Sequence, residues 1–285
     1  MRKIDQMPDY TGWDPLMYGT WYQPKQINLA LGILKWAKDK LSQDFRPSAD
    51  EWQIVDFGSG SLAVQFAVAI AAAEEIDQGT PIRRIQVDSI DTSLDMMEFG
   101  SRVWKWFKVL TAIEDSNGPL DQAVRSIESV RHTSIQSIAP INNAERYLMA
   151  IHAVYGQNVS NVKSDLAFLV NALQPDAVFM SAVEWKLGLL RQASPLGGSE
   201  VYDEWDSTND DSIDIPVHFS SDVDFVSEWR RDRWRELQSQ WIPANDDNID
   251  WTWIRFMLSN NVTWNYPVPV VLAYTKRSIE DDLPW

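Results

Sequence analysis

The sequence contains no cysteine among its 285 residues. A chain without thiols cannot form disulfides, thiolate zinc sites or cysteine-ligated iron–sulfur clusters, so these means of stabilising a fold or of carrying redox chemistry are excluded. The same absence is compatible with a reducing compartment. Histidine is also scarce, with three residues in the chain, and we predict no metal site.

Long apolar runs and a signal peptide are missing as well. No segment is apolar and free of charge over the length needed to cross a membrane, so we expect a cytoplasmic protein without a membrane partner.

Basic residues are outnumbered, with 25 lysines and arginines against 41 aspartates and glutamates, and the net charge is −16. Such a field repels phosphate backbones, and we therefore do not expect nucleic acid as a partner.

The chain is organised around a glycine-containing stretch at residues 53–63. An apolar run ends in Asp56, glycines follow at positions 58 and 60, and a long apolar segment of small residues begins at Leu62. This pattern predicts a strand, a tight turn and a helix. Because glycine has no Cβ, and because a helix start presents free N–H groups, such a turn typically binds part of a nucleotide-like cofactor.

A second strand is predicted at residues 84–91, where it ends in Asp91. Thr92 is placed to cap the next helix, with Asp95 three residues further on. The helix is predicted to be amphipathic, and its apolar positions are Met96, Met97, Phe99, Val103, Trp106 and Phe107.

The rest of the chain continues to alternate strands with helices. A weak strand is predicted near residues 127–130, and fully buried strands at 147–154 and 176–180, with a helical stripe between the last two at Val162, Leu166, Leu169, Val170 and Leu173. A final strand at residues 268–274 arrives without a crossover helix and should run antiparallel. This alternation indicates an α/β fold with a mostly parallel sheet.

The two flanking regions have less regular patterns. Residues 1–24 form an aromatic arm, followed by a helix whose predicted apolar stripe is Ile27, Ala30, Leu31, Leu34, Ala37 and Leu41. The arm either packs onto the domain or closes over a ligand. Residues 200–214 are acidic and predict a solvated loop, with a partner or metal site as the alternative. Residues 229–241 predict a helix rich in arginine and tryptophan.

The motifs in this order resemble those of the class I S-adenosylmethionine-dependent methyltransferases. The resemblance rests on residues 55–60, on 90–93 followed by Met96 and Met97, on the strands at 147–154 and 176–180, and on 267–274. It implies a Rossmann-like methyltransferase fold, with a mostly parallel seven-stranded sheet and an antiparallel C-terminal strand. We expect one domain, 1–285, divided into an arm and helix (1–45), a cofactor-binding core (50–185), an insertion (187–248) and C-terminal strands (249–285).

The resemblance also implies S-adenosyl-L-methionine as the cofactor. Residues 58–60 would lie against its amino-acid part, and Asp91 would accept hydrogen bonds from the ribose hydroxyls. The implied cofactor-binding residues are Asp56, Phe57, Gly58, Ser59, Gly60, Asp91, Thr92, Ser93, Ile135, Gln136 and His152. The alternative cofactor is a nicotinamide dinucleotide, because Gly58, Gly60 and Ala63 satisfy its fingerprint, but Asp56 and the late position of Asp91 count against it.

His152 and Tyr155 are the predicted catalytic residues. His152 is placed at the carboxyl end of a central strand, where α/β sheets bind ligands, and its ordinary pKa near 6.5 suits proton transfer. The competing interpretation is a histidine buried in the core. The predicted substrate-binding residues are Tyr18, Trp21, Tyr22, Tyr155, Gln157 and Asn158.

These residues predict a methyltransferase acting on a small-molecule or peptide acceptor. Two alternatives stay open from the sequence. One is a methyltransferase acting on RNA or protein, and the other is a non-catalytic binding or assembly protein that keeps the fold.

Overall fold

The computed structural model describes residues 23–40, 51–209 and 269–277, which belong to one compact unit. Three predicted features lie outside the described residues: the aromatic residues of the arm, residues 210–214 of the acidic segment, and the segment at 229–241. The predictions made for them are therefore not addressed by the structure.

The described residues form six helices, seven strands and three short 3-10 turns. The helices are α1 (Gln23–Lys40), α2 (Ala63–Asp77), α3 (Leu94–Glu114), α4 (Pro119–Ser126), α5 (Val159–Leu173) and α6 (Leu187–Ala193). The strands are β1 (Glu51–Phe57), β2 (Arg84–Ile90), β3 (Ile127–His132), β4 (Glu145–Ile151), β5 (Ala177–Val183), β6 (Tyr202–Asp206) and β7 (Pro269–Lys276). The 3-10 turns are Ile135–Ser137, Glu184–Lys186 and Ser207–Asn209.

The seven strands form one sheet in the order β3-β2-β1-β4-β5-β7-β6. Strands β1 to β5 pair in parallel, and β7 runs antiparallel to both of its neighbours, β5 and β6. The predicted mostly parallel seven-stranded sheet with an antiparallel C-terminal strand is confirmed. The strand order reverses beside β1, so the carboxyl ends of β1 and β4 flank the crevice in which open α/β sheets bind ligands.

The side chains of successive residues of β1 point to opposite faces of this sheet. Val55 belongs to a core with residues of β4, β5, α5 and α6. Its neighbour Asp56 points to the other face, where it lies beside Ala63 and Val64 of α2. The predicted stripe on α5 is confirmed, because all five of its residues are buried. The weak strand predicted near 127–130 is confirmed as β3.

The apolar stripe predicted on α1 is confirmed only in part: Ala30 and Ala37 are buried, and Leu41 lies outside the described residues. The buried apolar residues of α1 are Leu29, Ala30, Ile33, Trp36 and Ala37, whereas Ile27, Leu31 and Leu34 are only partly buried. Apolar residues occur on more than one side of this helix, so their spacing alone does not select the face that packs. None of the helices in the described parts of the chain combines the length and apolar character needed to cross a membrane.

The first part of the acidic segment is not a solvated loop, as predicted, but strand β6. β6 pairs with β7 at the end of the sheet. Tyr202 is buried and its hydroxyl donates to the carbonyl of Pro175 at 2.8 Å, while Asp203 and Asp206 form ion pairs with Arg277 and Arg191. Charged side chains are a common device for protecting an edge strand from further pairing, which explains why its composition resembles that of a loop.

Helix α3 starts one residue later than the predicted cap implies. Ser93, not Thr92, is the cap, and its side chain accepts a hydrogen bond from the backbone N–H of Met96 at 3.3 Å. Met96 and Met97 are buried as predicted, but Trp106 is 69% exposed. Trp104 is the buried tryptophan of this helix, and its ring packs edge-on against Phe66 of α2.

Candidate active site

The loop at residues 58–60 is tied to the end of the neighbouring strand. Gly58 and Gly60 have φ angles of 76° and 47°, in the left-handed region that glycine adopts without strain. The backbone N–H groups of Gly58 and Ser59 both donate to the carbonyl of Ile90, at 2.9 and 3.1 Å. The carboxyl ends of β1 and β2 are therefore held together by the loop itself.

Two glycines allow other segments to approach this loop closely. A Cβ added to Gly58 would lie 2.7 Å from the Cβ of Ala153, in the loop after β4. A Cβ added to Gly100 of α3 would lie 2.5 Å from the carbonyl oxygen of Ser61. The loop is thus enclosed by α3 and by the segment that follows β4, with no space for a side chain at either contact.

Asp91 lies at the carboxyl end of β2 and faces the glycine loop. One carboxylate oxygen accepts the backbone N–H of Gly60 at 2.7 Å, and the other accepts that of Ser93 at 2.7 Å. Burial raises the pKa of Asp91, and the backbone hydrogen bonds oppose that rise. Each carboxylate oxygen has more than one lone pair, so Asp91 retains the capacity to accept further hydrogen bonds.

Asp56 is the second carboxyl group at this place. It is buried, and its Oδ2 has no hydrogen-bond partner among the described residues. Burial, together with the nearby charge of Asp91, raises the pKa of Asp56 well above its ordinary value. A positively charged ligand group would relieve both effects, because it would partner the oxygen and favour the ionised carboxyl. A small depression is lined by Gln26, Asp56, Gly58, Ser59, Ala63, Val64 and Ile151.

The first turn of α1 also reaches the glycine loop, which the sequence analysis missed. The side-chain amide of Gln23 donates to the carbonyl of Ser61 at 2.7 Å, and Gln26 lines the same depression as Asp56. Tyr18, Trp21 and Tyr22 lie outside the described residues. The point at which their segment enters α1 is nevertheless beside the loop.

His152 begins the segment that follows β4. Its φ angle is 56°, and its backbone N–H donates to the carbonyl of Ser181 on β5 at 2.8 Å. Burial and, to a smaller extent, the charge of Lys186 lower the pKa of His152 to about 4. The imidazole is therefore neutral at pH 7 and a weak proton acceptor.

Tyr155 and Asn158 shape the same segment. Asn158 accepts the backbone N–H of Tyr155 at 2.7 Å and donates to the carbonyl of Ala153 at 2.9 Å, so its amide closes the turn. Burial, with a contribution from the charge of Asp91, raises the pKa of Tyr155. The phenol is therefore protonated at neutral pH. Gln157 is exposed.

Lys186, after β5, is a site residue that the sequence analysis missed. It is buried, and its ammonium lies 4.1 Å from the centre of the Tyr155 ring and 3.5 Å from the carbonyl oxygen of Val154. A lysine next to Trp185 at the end of a strand has no distinctive spacing. The signal available in the sequence was its position directly after a buried strand of a parallel sheet.

The turn carrying Ile135 and Gln136 lies beyond β3. Ile135 is buried against the core and Gln136 is exposed. A polar network supports the turn, because His132 contacts the buried carboxylate of Asp88 at 2.7 Å through Nε2 and the hydroxyl of Ser137 at 2.8 Å through Nδ1. Gln53 of β1 also donates to Asp88, at 2.8 Å.

The described residues contain no group of three or more histidine or acidic side chains that could hold a metal ion. The acidic pair Asp56 and Asp91 thus has no further ligand of this kind in the described parts of the chain.

The low pKa of His152 predicts a specific response to acid. The unfolded chain takes up a proton at about pH 6.5, and the folded chain does so only near pH 4, so stability conferred above pH 6.5 is lost as the pH falls towards 4. The loss amounts to roughly 3 kcal/mol. In His152→Asn, whose asparagine tolerates the positive φ, urea unfolding between pH 7.5 and 4.5 should show a correspondingly smaller loss.

The imidazole resonances provide a direct control for this prediction. The chain has three histidines, and the resonance that disappears in His152→Asn identifies His152. That resonance should titrate near pH 4. Titration near pH 6.5 would show that the ring is hydrated and would contradict the prediction.

No protein-family model and no curated protein matches the chain. Solved structures that align with it include the Haemonchus contortus phosphoethanolamine N-methyltransferase 2 in complex with phosphomonomethylethanolamine and S-adenosylhomocysteine, at 11% identity and a TM-score of 0.39. The alignment covers 95% of this chain and 62% of that one, so this chain spans less than two thirds of that protein.

Two further structures align over most of both chains. The plantazolicin methyltransferase BpumL, in complex with a monoazolic desmethylPZN analogue and S-adenosylhomocysteine, is 12% identical over 92% of this chain and 88% of its own, with a TM-score of 0.42. Loganic acid methyltransferase with S-adenosylhomocysteine is 10% identical over 96% and 100%, with a TM-score of 0.46. Sequence identities and TM-scores this low do not indicate what this chain does. The Rossmann-like methyltransferase fold rests on the sheet itself, with its parallel strands and antiparallel β7.

Proposed function

We propose that the protein is an S-adenosylmethionine-dependent methyltransferase acting on a small-molecule or peptide acceptor. The observation that carries this proposal is the contact between the Gly60 N–H and the Asp91 carboxylate, at 2.7 Å. It joins the glycine loop after β1 to the acidic end of β2, beside the crevice where the strand order reverses. A ligand that needs both close backbone approach and a carboxylate acceptor fits this place.

The residues at the loop fit the cofactor in charge and in hydrogen-bonding capacity. Asp56, with its unpartnered buried oxygen, would hold the positively charged amino group. Asp91 would accept from ribose hydroxyls through its remaining lone pairs, and the backbone of residues 58–60 would lie against the amino-acid part. When bound, the cofactor supplies an electrophilic methyl group on a positively charged sulfur.

The segment after β4 would form the acceptor side of the site. Its loop is held by Asn158, and it carries Tyr155 close enough to Asp91 for the carboxylate charge to affect the phenol. We assign Tyr155 to contact with the acceptor and His152 to shaping the end of β4, because a weakly basic imidazole is a poor proton acceptor. Ile135 and Gln136, on the supported turn beyond β3, remain our assignment for the adenine edge.

Calorimetric titration tests the cofactor assignment. We expect S-adenosylmethionine and S-adenosylhomocysteine to bind at least about a hundredfold more tightly than NAD, a difference of about 3 kcal/mol. The physical reason is that the nicotinamide dinucleotide would bring a pyrophosphate close to Asp56 and Asp91. Tight binding of NAD without binding of either sulfur compound would overturn the assignment.

The same samples distinguish the remaining functional classes. Transfer of labelled methyl to small acceptors or peptides would support the proposal, whereas cofactor binding without transfer to any acceptor class would favour a binding protein. Transfer confined to RNA would move the function to the alternative class.

For Tyr18, Trp21 and Tyr22, which we propose to close over the site, hydrogen exchange of residues 1–22 should slow when the cofactor is added.

A further inference from the structure

We propose that two copies of this chain associate through an apolar stripe on α3. The stripe consists of four side chains: Trp106, Val109, Leu110 and Ile113. All four are exposed, from 49% for Val109 to 69% for Trp106. The inference is independent of the proposed function, because none of these residues belongs to the candidate active site.

The spacing of the four residues places them on one side of the helix. Positions i, i+3, i+4 and i+7 share one face of an α-helix, and the stripe occupies such positions between 106 and 113. The opposite side of α3 packs onto the protein, since Gly100, Trp104 and Thr111 are buried there. α3 therefore has two sides suited to packing, and the stripe is the one that stays exposed.

The stripe is large for an apolar surface in contact with water. Four of the nine large apolar side chains that are exposed among the described residues lie in it, so their exposure is concentrated and not scattered. Together they expose about 400 to 500 Å², and patches of that size are often functional. A standard interface buries about 800 Å² on each partner. The stripe and its rim therefore favour a weak, reversible dimer.

The stripe is symmetric about its own middle, and this makes a second copy a suitable occupant. Consider two antiparallel helices related by a twofold axis that passes between the levels of residues 109 and 110. Trp106 then lies at the level of the partner's Ile113, and Val109 and Leu110 lie opposite the same residues of the partner. Every apolar side chain meets an apolar side chain, as a self-complementary twofold interface requires.

The charged residues beside the stripe are compatible with this arrangement. The axis brings the same flank of both helices together, and Lys105 is separated from its copy by nine residue levels, about 13 Å along the helix. That distance exceeds the Debye length at physiological salt, about 8 Å. Glu114, on the other flank, is separated from its copy by the same distance. The small side chain of Ala112 lies between the two lysines and leaves space for their aliphatic stems.

The overall charge predicts how salt affects the association. Each copy carries a net charge of −16, so two copies repel one another at long range. Salt screens this repulsion and leaves apolar burial in place. The dimer should therefore become tighter as the salt concentration rises, whereas a dimer held by ion pairs would weaken.

Sedimentation equilibrium of the full-length chain tests the association. Between about 1 and 200 µM we expect a monomer–dimer equilibrium, with more dimer at the higher concentrations. Trp106→Glu should weaken the dimer at least tenfold, because it places a charge within the apolar contact. Trp205→Glu makes the same change at another exposed tryptophan, on β6, and should leave the equilibrium unchanged. A monomer at every concentration, or equal association of Trp106→Glu and the unmodified protein, would overturn the inference.

The absence of native cysteine allows a direct test of the antiparallel pairing. Val109→Cys faces its own copy across the axis and should form an intermolecular disulfide under mild oxidation. Ile113→Cys should not, because its copy lies seven residue levels away, about 10 Å along the helix and beyond the reach of a disulfide. No cross-linking of Val109→Cys, or equal cross-linking at both positions, would contradict the pairing. Both substitutions are at exposed positions, and circular dichroism checks that the variants are folded.

Discussion

Replacing Gly58 with alanine is expected to lower the free energy of unfolding by about 2 to 5 kcal/mol and to reduce cofactor affinity at least tenfold. Two costs contribute to this loss. A non-glycine residue in the left-handed region costs about 1 to 2 kcal/mol, and steric overpacking costs about 1 to 3 kcal/mol. The φ angle at this position is 76°, and the new Cβ would meet the Cβ of Ala153 at 2.7 Å. Urea unfolding and calorimetry measure the two effects.

A second substitution separates strain from collision. Ala153→Gly removes the atom with which the new Cβ collides, so the Gly58→Ala/Ala153→Gly double variant should recover the overpacking part of the loss. Gly60→Ala is a control for strain alone, because its φ angle is 47° and its Cβ would approach only Met96, at 3.9 Å. Gly156→Ala, with nothing within 4 Å, should change stability by less than about 0.5 kcal/mol. A double variant no more stable than Gly58→Ala would contradict the steric explanation.

The central part of the fold could be predicted because its sequence pattern and its packing agree. In the β1–loop–α2 unit, an apolar strand, two glycines and a run of small apolar residues all favour the same local structure, and α2 is buried over most of its length. The stripe on α5 was predictable for a related reason. Five of its apolar residues recur on a single side, which favours packing of that face against the sheet.

Predictions failed where the sequence allowed more than one packing. On α1 the apolar residues surround much of the helix, and the contact with α2 decides that Ile33 and Trp36 are buried. On α3 two tryptophans two positions apart point to opposite sides, and the edge-on contact with Phe66 selects Trp104. Strand β6 exists because β7 offers it a partner. Such pairings depend on residues far apart in the chain, which local patterns do not report.

Some residues of the candidate site could likewise be predicted from the sequence, and others could not. Asp56, Gly58, Gly60 and Asp91 occur in short motifs, and the structure brings them together at neighbouring strand ends. Lys186 comes from the far side of the sheet, after β5, and its contact with Tyr155 arises only once β4 and β5 are paired. The polarity of a single lysine does not reveal burial. Its burial and its contact with Tyr155 become apparent only in the structure.

Asp91→Asn is expected to weaken the binding of S-adenosylhomocysteine by about 10- to 100-fold, which corresponds to the 1.5–3 kcal/mol typical of hydrogen bonds to charged groups. Asparagine retains one acceptor oxygen for the backbone N–H of Ser93 or Gly60, which the carboxylate accepts at 2.7 Å. It is therefore a milder change than alanine, which would remove both contacts. Burial also raises the pKa of Asp91, so the variant removes a charge that is costly to bury and should lose little stability.

The pH dependence provides the second measurement, and an exposed aspartate provides the control. Hydrogen bonds from the ribose hydroxyls require the ionised carboxylate, whose pKa lies above the ordinary value. The affinity of the unmodified protein should therefore fall as the pH decreases through that pKa, and the affinity of Asp91→Asn should change less over the same range. Asp95→Asn makes the same chemical change at an exposed position in the first turn of α3 and should bind like the unmodified protein. If calorimetry shows equal affinities for a folded Asp91→Asn and the unmodified protein at every pH, Asp91 is not the ribose ligand, and the loop contact at Gly60 is structural.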